Sequence, residues 1–150
     1  MKSLGIDPGQ SGGIAIIEDG RGAAAYKMPE TERDIADLIW RHASTVDIAV
    51  IERVHSMPGQ GVSSTFKFGM NYGLLRGLLI AYRIPFTEVT PQKWMKAMQC
   101  QTHGDKNVSK ARAQQLFPSL KITHATADAL LIAAYAHGLS LAGDSALDSL

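Results

Sequence analysis

Asp7, Glu52 and Asp128 each stand at the edge of an apolar run. Asp7 closes Leu4-Gly5-Ile6, Glu52 closes Ile48-Ala49-Val50-Ile51, and Asp128 opens Ala129-Leu130-Leu131-Ile132-Ala133-Ala134. An ionised carboxylate at the end of a buried strand or on a core helix loses solvation worth several kcal/mol, so it is normally paired, protonated or bound to a cation. Three such acids converging on one point would form a divalent-metal site, because oxygen-rich ligand sets select hard cations such as Mg²⁺ or Mn²⁺. Two such ions about 4 Å apart can activate water and stabilise the leaving oxygen in phosphodiester hydrolysis. His124 precedes Asp128 by four residues and so shares its helical face. Spacing alone leaves an ordinary alternative open, in which Asp7 caps a turn, Glu52 pairs with Arg53 or Lys93, and Asp128 caps a helix.

For the acids to meet, Asp7 must end a central first strand and Glu52 the same end of a parallel strand after a helical crossover, the edge where open α/β sheets place ligands. The pattern supplies such elements. Residues 2–7, 12–18 and 22–27 read as short strands separated by Pro8-Gly9-Gln10-Ser11 and Glu18-Asp19-Gly20-Arg21, an antiparallel meander. Thr31 can cap a following helix, with Asp34 at its third position and Ile35, Leu38, Ile39 and Trp40 as its apolar stripe. The run 48–52 has the continuous apolar character of a strand covered on both faces. Further on the pattern predicts a helix over 64–82, a strand over 86–89, a turn or short helix from Pro91, and helices over 108–116 and 126–139. Residues 1–141 are expected to form one domain, with 142–150 a fraying tail.

The chain has 150 residues, 45% hydrophobic and 19% charged, enough for one globular domain that buries about two thirds of its unfolded surface. With no apolar run of about 18 residues and no signal-peptide pattern at the start, a cytoplasmic protein without membrane contact is the expectation. The single cysteine, Cys100, excludes an intrachain disulfide and is too isolated for a clustered zinc site. The net charge of +1 hides an asymmetry: residues 53–127 carry ten Lys/Arg against two Asp/Glu, and the acids gather on either side. Arg53, Lys67, Arg76, Arg83, Lys93, Lys96, Lys106, Lys110, Arg112 and Lys121 could follow a phosphate backbone, or form ordinary solvated helix faces.

Gly69, Gly73 and Gly77 recur every four residues in the helix from Ser64, each costing about 1 kcal/mol relative to Ala. They share a face that admits a second backbone, either this helix's own sheet or its counterpart across a twofold dimer axis. Phe66, Met70, Leu74, Leu78 and Tyr82 read as core or interface residues. Before that helix, His55-Ser-Met-Pro-Gly-Gln-Gly-Val-Ser-Ser64 follows Glu52 directly, and its glycines and proline suit a mobile recognition loop.

The blocks Gly5-Ile-Asp-Pro-Gly9, Ile51-Glu-Arg-Val-His55 and Ala127-Asp-Ala-Leu-Leu-Ile-Ala133 together resemble the RuvC-like Holliday junction resolvases, especially the compact phage and prophage branch. Thr90-Pro-Gln-Lys-Trp94 and Lys106-Asn-Val-Ser-Lys-Ala-Arg-Ala-Gln-Gln-Leu-Phe-Pro118 add to the similarity, which spans nearly the whole chain. The resemblance implies an RNase H-like α/β fold, a homodimer, and cleavage of four-way DNA junctions by paired nicks with two Mg²⁺ or Mn²⁺ ions per site. By position it implies Asp7 as the bridging ligand, Glu52 as the second and Asp128 as the last acid. Many relatives place Asp or His three residues before that acid; here the position holds Ala125, and His124, one residue earlier, is the candidate fourth ligand. Lys106 resembles a lysine near the scissile phosphate, and the loop after Glu52 a segment that approaches the junction centre. Met57, Gln60 and Phe66, with the cations Lys67, Lys93, Lys110 and Arg112, are the expected DNA contacts. A metal nuclease for flaps, forks or RNA–DNA hybrids, or a noncatalytic junction binder, would carry many of the same features. A sugar-kinase or actin-like ATPase shares the opening strand and turn, but no second phosphate-binding half is visible.

Overall fold

The computed structural model describes residues 1–147, with side chains described as far as residue 139. Its elements in chain order are β1 (Lys2–Asp7), β2 (Gly13–Glu18), β3 (Gly22–Lys27), α1 (Glu32–Ala43), β4 (Ile48–Glu52), α2 (Val62–Ala81), β5 (Phe86–Val89), α3 (Pro91–Ala97), α4 (Lys106–Leu116) and α5 (His124–Leu147). The strands form one sheet in the order β3-β2-β1-β4-β5. β1, β2 and β3 pair antiparallel, while β4 runs parallel to both β1 and β5. This is the expected mixed five-stranded sheet built on a meander.

Each face of the sheet has its own core. Leu4, Ile6, Ala49 and Ile51 point toward α1 and α2, where they meet Ile35, Leu38, Ile39, Leu75 and Leu79. Ala15 and Val50 point the other way, under α5, with Trp94 of α3 and Ala113 of α4 closing that side. Side chains alternate along a strand, so Ser3, Gly5 and Asp7 of β1 and Ile48, Val50 and Glu52 of β4 share the α5 face.

Gly5 sets how closely α5 lies on β1. A Cβ there would stand 2.2 Å from the Ala133 nitrogen and 2.4 Å from the Ala129 carbonyl oxygen, so no other residue admits the helix backbone at this distance. One turn further along, α5 is tied down by His137, whose Nδ1 lies 3.1 Å from Ser3 Oγ and whose Nε2 lies 2.9 Å from Asp19 Oδ1.

Several boundaries differ from the sequence pattern, and capping explains the helix starts. Asp105 accepts a bond of 2.9 Å from the Asn107 amide, so α4 begins two residues before the expected 108. Thr126 Oγ1 accepts from the Thr123 amide at 3.1 Å, which starts α5 at His124. That places Asp128 inside the helix and excludes it as a cap. α5 also continues to Leu147, past the expected end at 139, and takes in most of the segment expected as a tail; residues 148–150 lie outside the described residues. Trp40 leaves the expected stripe of α1, standing 64% exposed with its ring edge-on to Tyr82 at 5.2 Å. Gly69, Gly73 and Gly77 are exposed, and a methyl group added at any of them would meet nothing within 4 Å, so packing of this face on its own sheet is excluded. Among the described residues no helix is long and apolar enough to cross a membrane.

Candidate metal centre

The parallel register that pairs Ile6 with Ile51 puts Asp7 and Glu52 side by side at the carboxyl ends of β1 and β4. Both belong to the α5 face, and α5 crosses β1 with Ala129 directly over Gly5. Asp128, one residue earlier on that helix, therefore hangs over the same edge. Asp7 and Asp128 line a cleft of about 190 Å³ together with Pro8, Ser11, Gly12, Lys106, Ser109 and His124. That is room for several waters at roughly 30 Å³ each. Lys106 enters from the first turn of α4 and His124 from the first turn of α5, both exposed.

The cleft resists its own negative charge. Burial, followed by the charges of Glu52 and Asp128, holds the Asp7 carboxyl well above the usual range, and only Lys106 opposes this. Glu52 is pushed up to about 7, chiefly by burial and further by Asp128, against the hydrogen bond it receives from Trp94. Burial also raises Asp128, while the Ser109 hydroxyl and the charges of Lys106 and His124 pull it back. Burial is the largest cause of all three shifts, and each raises the carboxyl toward its neutral form.

Trp94 fixes Glu52. The indole is wholly buried, and its Nε1 donates to Glu52 Oε2 at 2.7 Å. The alternative partners fall away: Arg53 lies 3.7 Å from Glu88 Oε2 instead, and Lys93 makes no ion pair with Glu52 among the described residues. A buried indole N–H nearly always finds an acceptor, so Trp94 signalled in the sequence that a partner exists without saying which. Ser109, the other supporting group that the sequence pattern does not single out, carried no such signal.

Whether these residues suit a cation is tested by Asp128. Its Oδ1 is buried without a hydrogen-bond partner, a costly state for an acceptor that a cation would relieve. The all-oxygen acids with one imidazole at the rim match the preference of Mg²⁺ or Mn²⁺. No three His, Cys, Asp or Glu side chains among the described residues form a ready-made cation cluster. The three acids share an edge and a field, with Glu52 turned to Trp94.

The residues expected to touch DNA divide. Gln60 and Lys67 line a cleft of about 290 Å³ beside Gly9 and Gln10, adjoining the acid edge. Met57 in the loop after Glu52 and Phe66 on α2 are 59% and 68% exposed, available for contact. Lys93 on α3 is exposed and Lys110 on α4 half-buried. Arg112 is committed elsewhere: its Nε donates to the Met98 carbonyl at 2.9 Å and its Nη1 to Gln115 at 3.2 Å, holding α4 to the end of α3.

No protein-family model matches the chain, and no curated protein matches it by sequence. Among solved structures it is similar to RuvC of Thermus thermophilus, with a TM-score of 0.61 and 18% identity over 89% of this chain and 91% of that one. A second structure, of T. thermophilus RuvC in complex with a Holliday junction substrate, gives 0.60 and 16% over 89% and 90%. At these identities the likeness shows the fold, which is RNase H-like.

Proposed function

We propose that the chain is a divalent-metal-dependent endonuclease that resolves four-way DNA junctions by paired phosphodiester hydrolysis, as a homodimer of the compact phage and prophage kind. What supports this reading is that Asp7 and Glu52 end neighbouring parallel strands and Asp7 and Asp128 line one cleft, with a buried Asp128 oxygen left without a partner. The fold shared with a protein captured on a Holliday junction supports the substrate class.

Asp7, Glu52, Asp128 and His124 would hold Mg²⁺ or Mn²⁺, two ions per site. When bound, the ions supply the Lewis acidity for water to displace one ester oxygen at phosphorus. Lys106, on the wall of the same cleft, offsets the charge that grows on the phosphate oxygens. Trp94 holds Glu52 in place at the end of β4 through its Nε1 hydrogen bond. Lys67 and Gln60 receive the backbone on the neighbouring groove, and Met57 and Phe66 meet the centre of the junction. A second copy supplies the second cut.

The test is side-by-side cleavage of a mobile four-way junction, a flap, a fork and an RNA–DNA hybrid in Mg²⁺ and in Mn²⁺. Symmetric nicks on the four-way junction in preference to the others are expected. Faster cutting of the flap, fork or hybrid would reassign the substrate, and junction binding without any nicking would leave a binding protein.

A further inference from the structure

We infer that Asn71 is a positioning residue for the Asp7 turn and makes α2 part of the cutting machinery; this rests on the nuclease reading above. Asp7 leaves β1 into Pro8-Gly9, and both of these residues are buried. Pro8 has no N–H to anchor the turn, so the first amide after Asp7 is that of Gly9. A buried amide needs an acceptor. Its acceptor is the side chain of Asn71, sixty-two positions away on α2, at 2.7 Å. The amide is a donor, so the Asn71 oxygen faces it and the NH₂ end is left for the groove that Asn71 lines with Gln10, Gln60 and Lys67.

A second contact reinforces the first. Gly9 adopts φ +99, and a Cβ there would stand 2.6 Å from the ring of Phe68. Phe68 and Asn71 are one turn apart on the same helix and grip one residue, Phe68 by packing against it and Asn71 by accepting its hydrogen bond. The turn closes on itself through the Gly12 amide and the Gly9 carbonyl at 3.1 Å, so whatever moves Gly9 moves the whole Asp7–Gly12 rim of the cleft. The same stretch of α2 exposes Phe66, Lys67 and Met70. Nucleic acid that presses on this face is thereby felt two residues from Asp7, through a rigid helix.

The contact is tested with Asn71→Leu, nearly isosteric but unable to accept, and Asn71→Asp, which keeps an acceptor oxygen. Amide exchange of Gly9, followed by NMR in metal-free protein, reads the contact without reference to activity. Exchange is expected to speed about tenfold in Asn71→Leu and to stay near wild type in Asn71→Asp, as the loss of one hydrogen bond of roughly 1.4 kcal/mol requires. In junction cleavage at saturating junction, Asn71→Leu is expected to lower kcat about tenfold and raise the Mn²⁺ needed for half activity, with Asn71→Asp restoring both, while KM for the junction reports separately on the groove that Asn71 lines. Unchanged exchange in Asn71→Leu overturns the contact. Faster exchange with unchanged kcat and Mn²⁺ dependence overturns the positioning role while the nuclease reading stands. A wild-type protein that cuts nothing overturns the nuclease reading and the catalytic role of Asn71 with it, even where exchange shows the contact to be real. A thermal unfolding curve for each variant separates these outcomes from misfolding.

Discussion

Glu52 shows how one side chain carries both the strain and the use of this site. Burial is the main force pushing its carboxyl up to about 7 in the folded chain, from an ordinary value of 4.5. Between those values the native state binds more protons than the unfolded one, so stability is highest below the unfolded pKa and falls as pH rises through the window. Denaturant titrations in chelator are expected to lose on the order of 2 kcal/mol from pH 4.5 to pH 7, and Glu52→Gln to flatten that slope in part. Part of the slope remains because burial raises Asp7 and Asp128 in the same direction. Stability that instead rises across this window in the wild type would contradict the charge reading. The three acids were legible in the sequence because a charge at the edge of an apolar run stands out against its neighbours. The contacts of Trp94 and Asn71 were not, because each crosses between elements far apart in the chain, and a lone tryptophan or asparagine carries no period that points at a partner.

Among the elements, α2 is a helix as its sequence pattern predicts, but its surface was only half legible. Of the expected stripe, Leu74, Leu78 and Tyr82 are half-buried against the core and Phe66 and Met70 are exposed, while the fully buried positions are Leu75 and Leu79; the four-residue spacing of its glycines fitted its own sheet as well as a second molecule. The glycines prove to be on the open face, beside the exposed Phe66 and Met70. Gly73→Ala should then raise monomer stability by up to about 1 kcal/mol, a gain of roughly 2–4 °C in Tm. If two copies join along the glycine strip, the added methyl also weakens the dimer, and sedimentation equilibrium at several concentrations reads that change separately. A destabilised monomer would mean that the face is covered from within the chain. The starts of α4 and α5 were misjudged for a simpler reason: the caps at Asp105 and Thr123–Thr126 precede the apolar pattern, and periodicity begins only after a cap.

For the whole molecule, strand order is what brings three distant acids to one sheet edge. The meander places β1 at the centre, the crossover through α1 brings β4 beside it in parallel, and α5 returns across both. That order was readable from the sequence because meander and crossover have different loop lengths and periodicities; the depth at which α5 sits, set by Gly5, was not. Paired incision requires two such sites, so the protein on a four-way junction is expected to sediment as a dimer, and a strictly monomeric complex would contradict resolution by paired nicks. The most direct measurement is Mn²⁺-dependent cleavage of a four-way junction by the wild type and by Asp7→Asn, with junction binding followed in parallel. Cleavage lost by about a hundredfold or more at nearly unchanged binding is the expected result, in line with removal of a group that acts on the transition state. Equal cleavage by the two proteins would contradict the assignment of this edge as the catalytic centre.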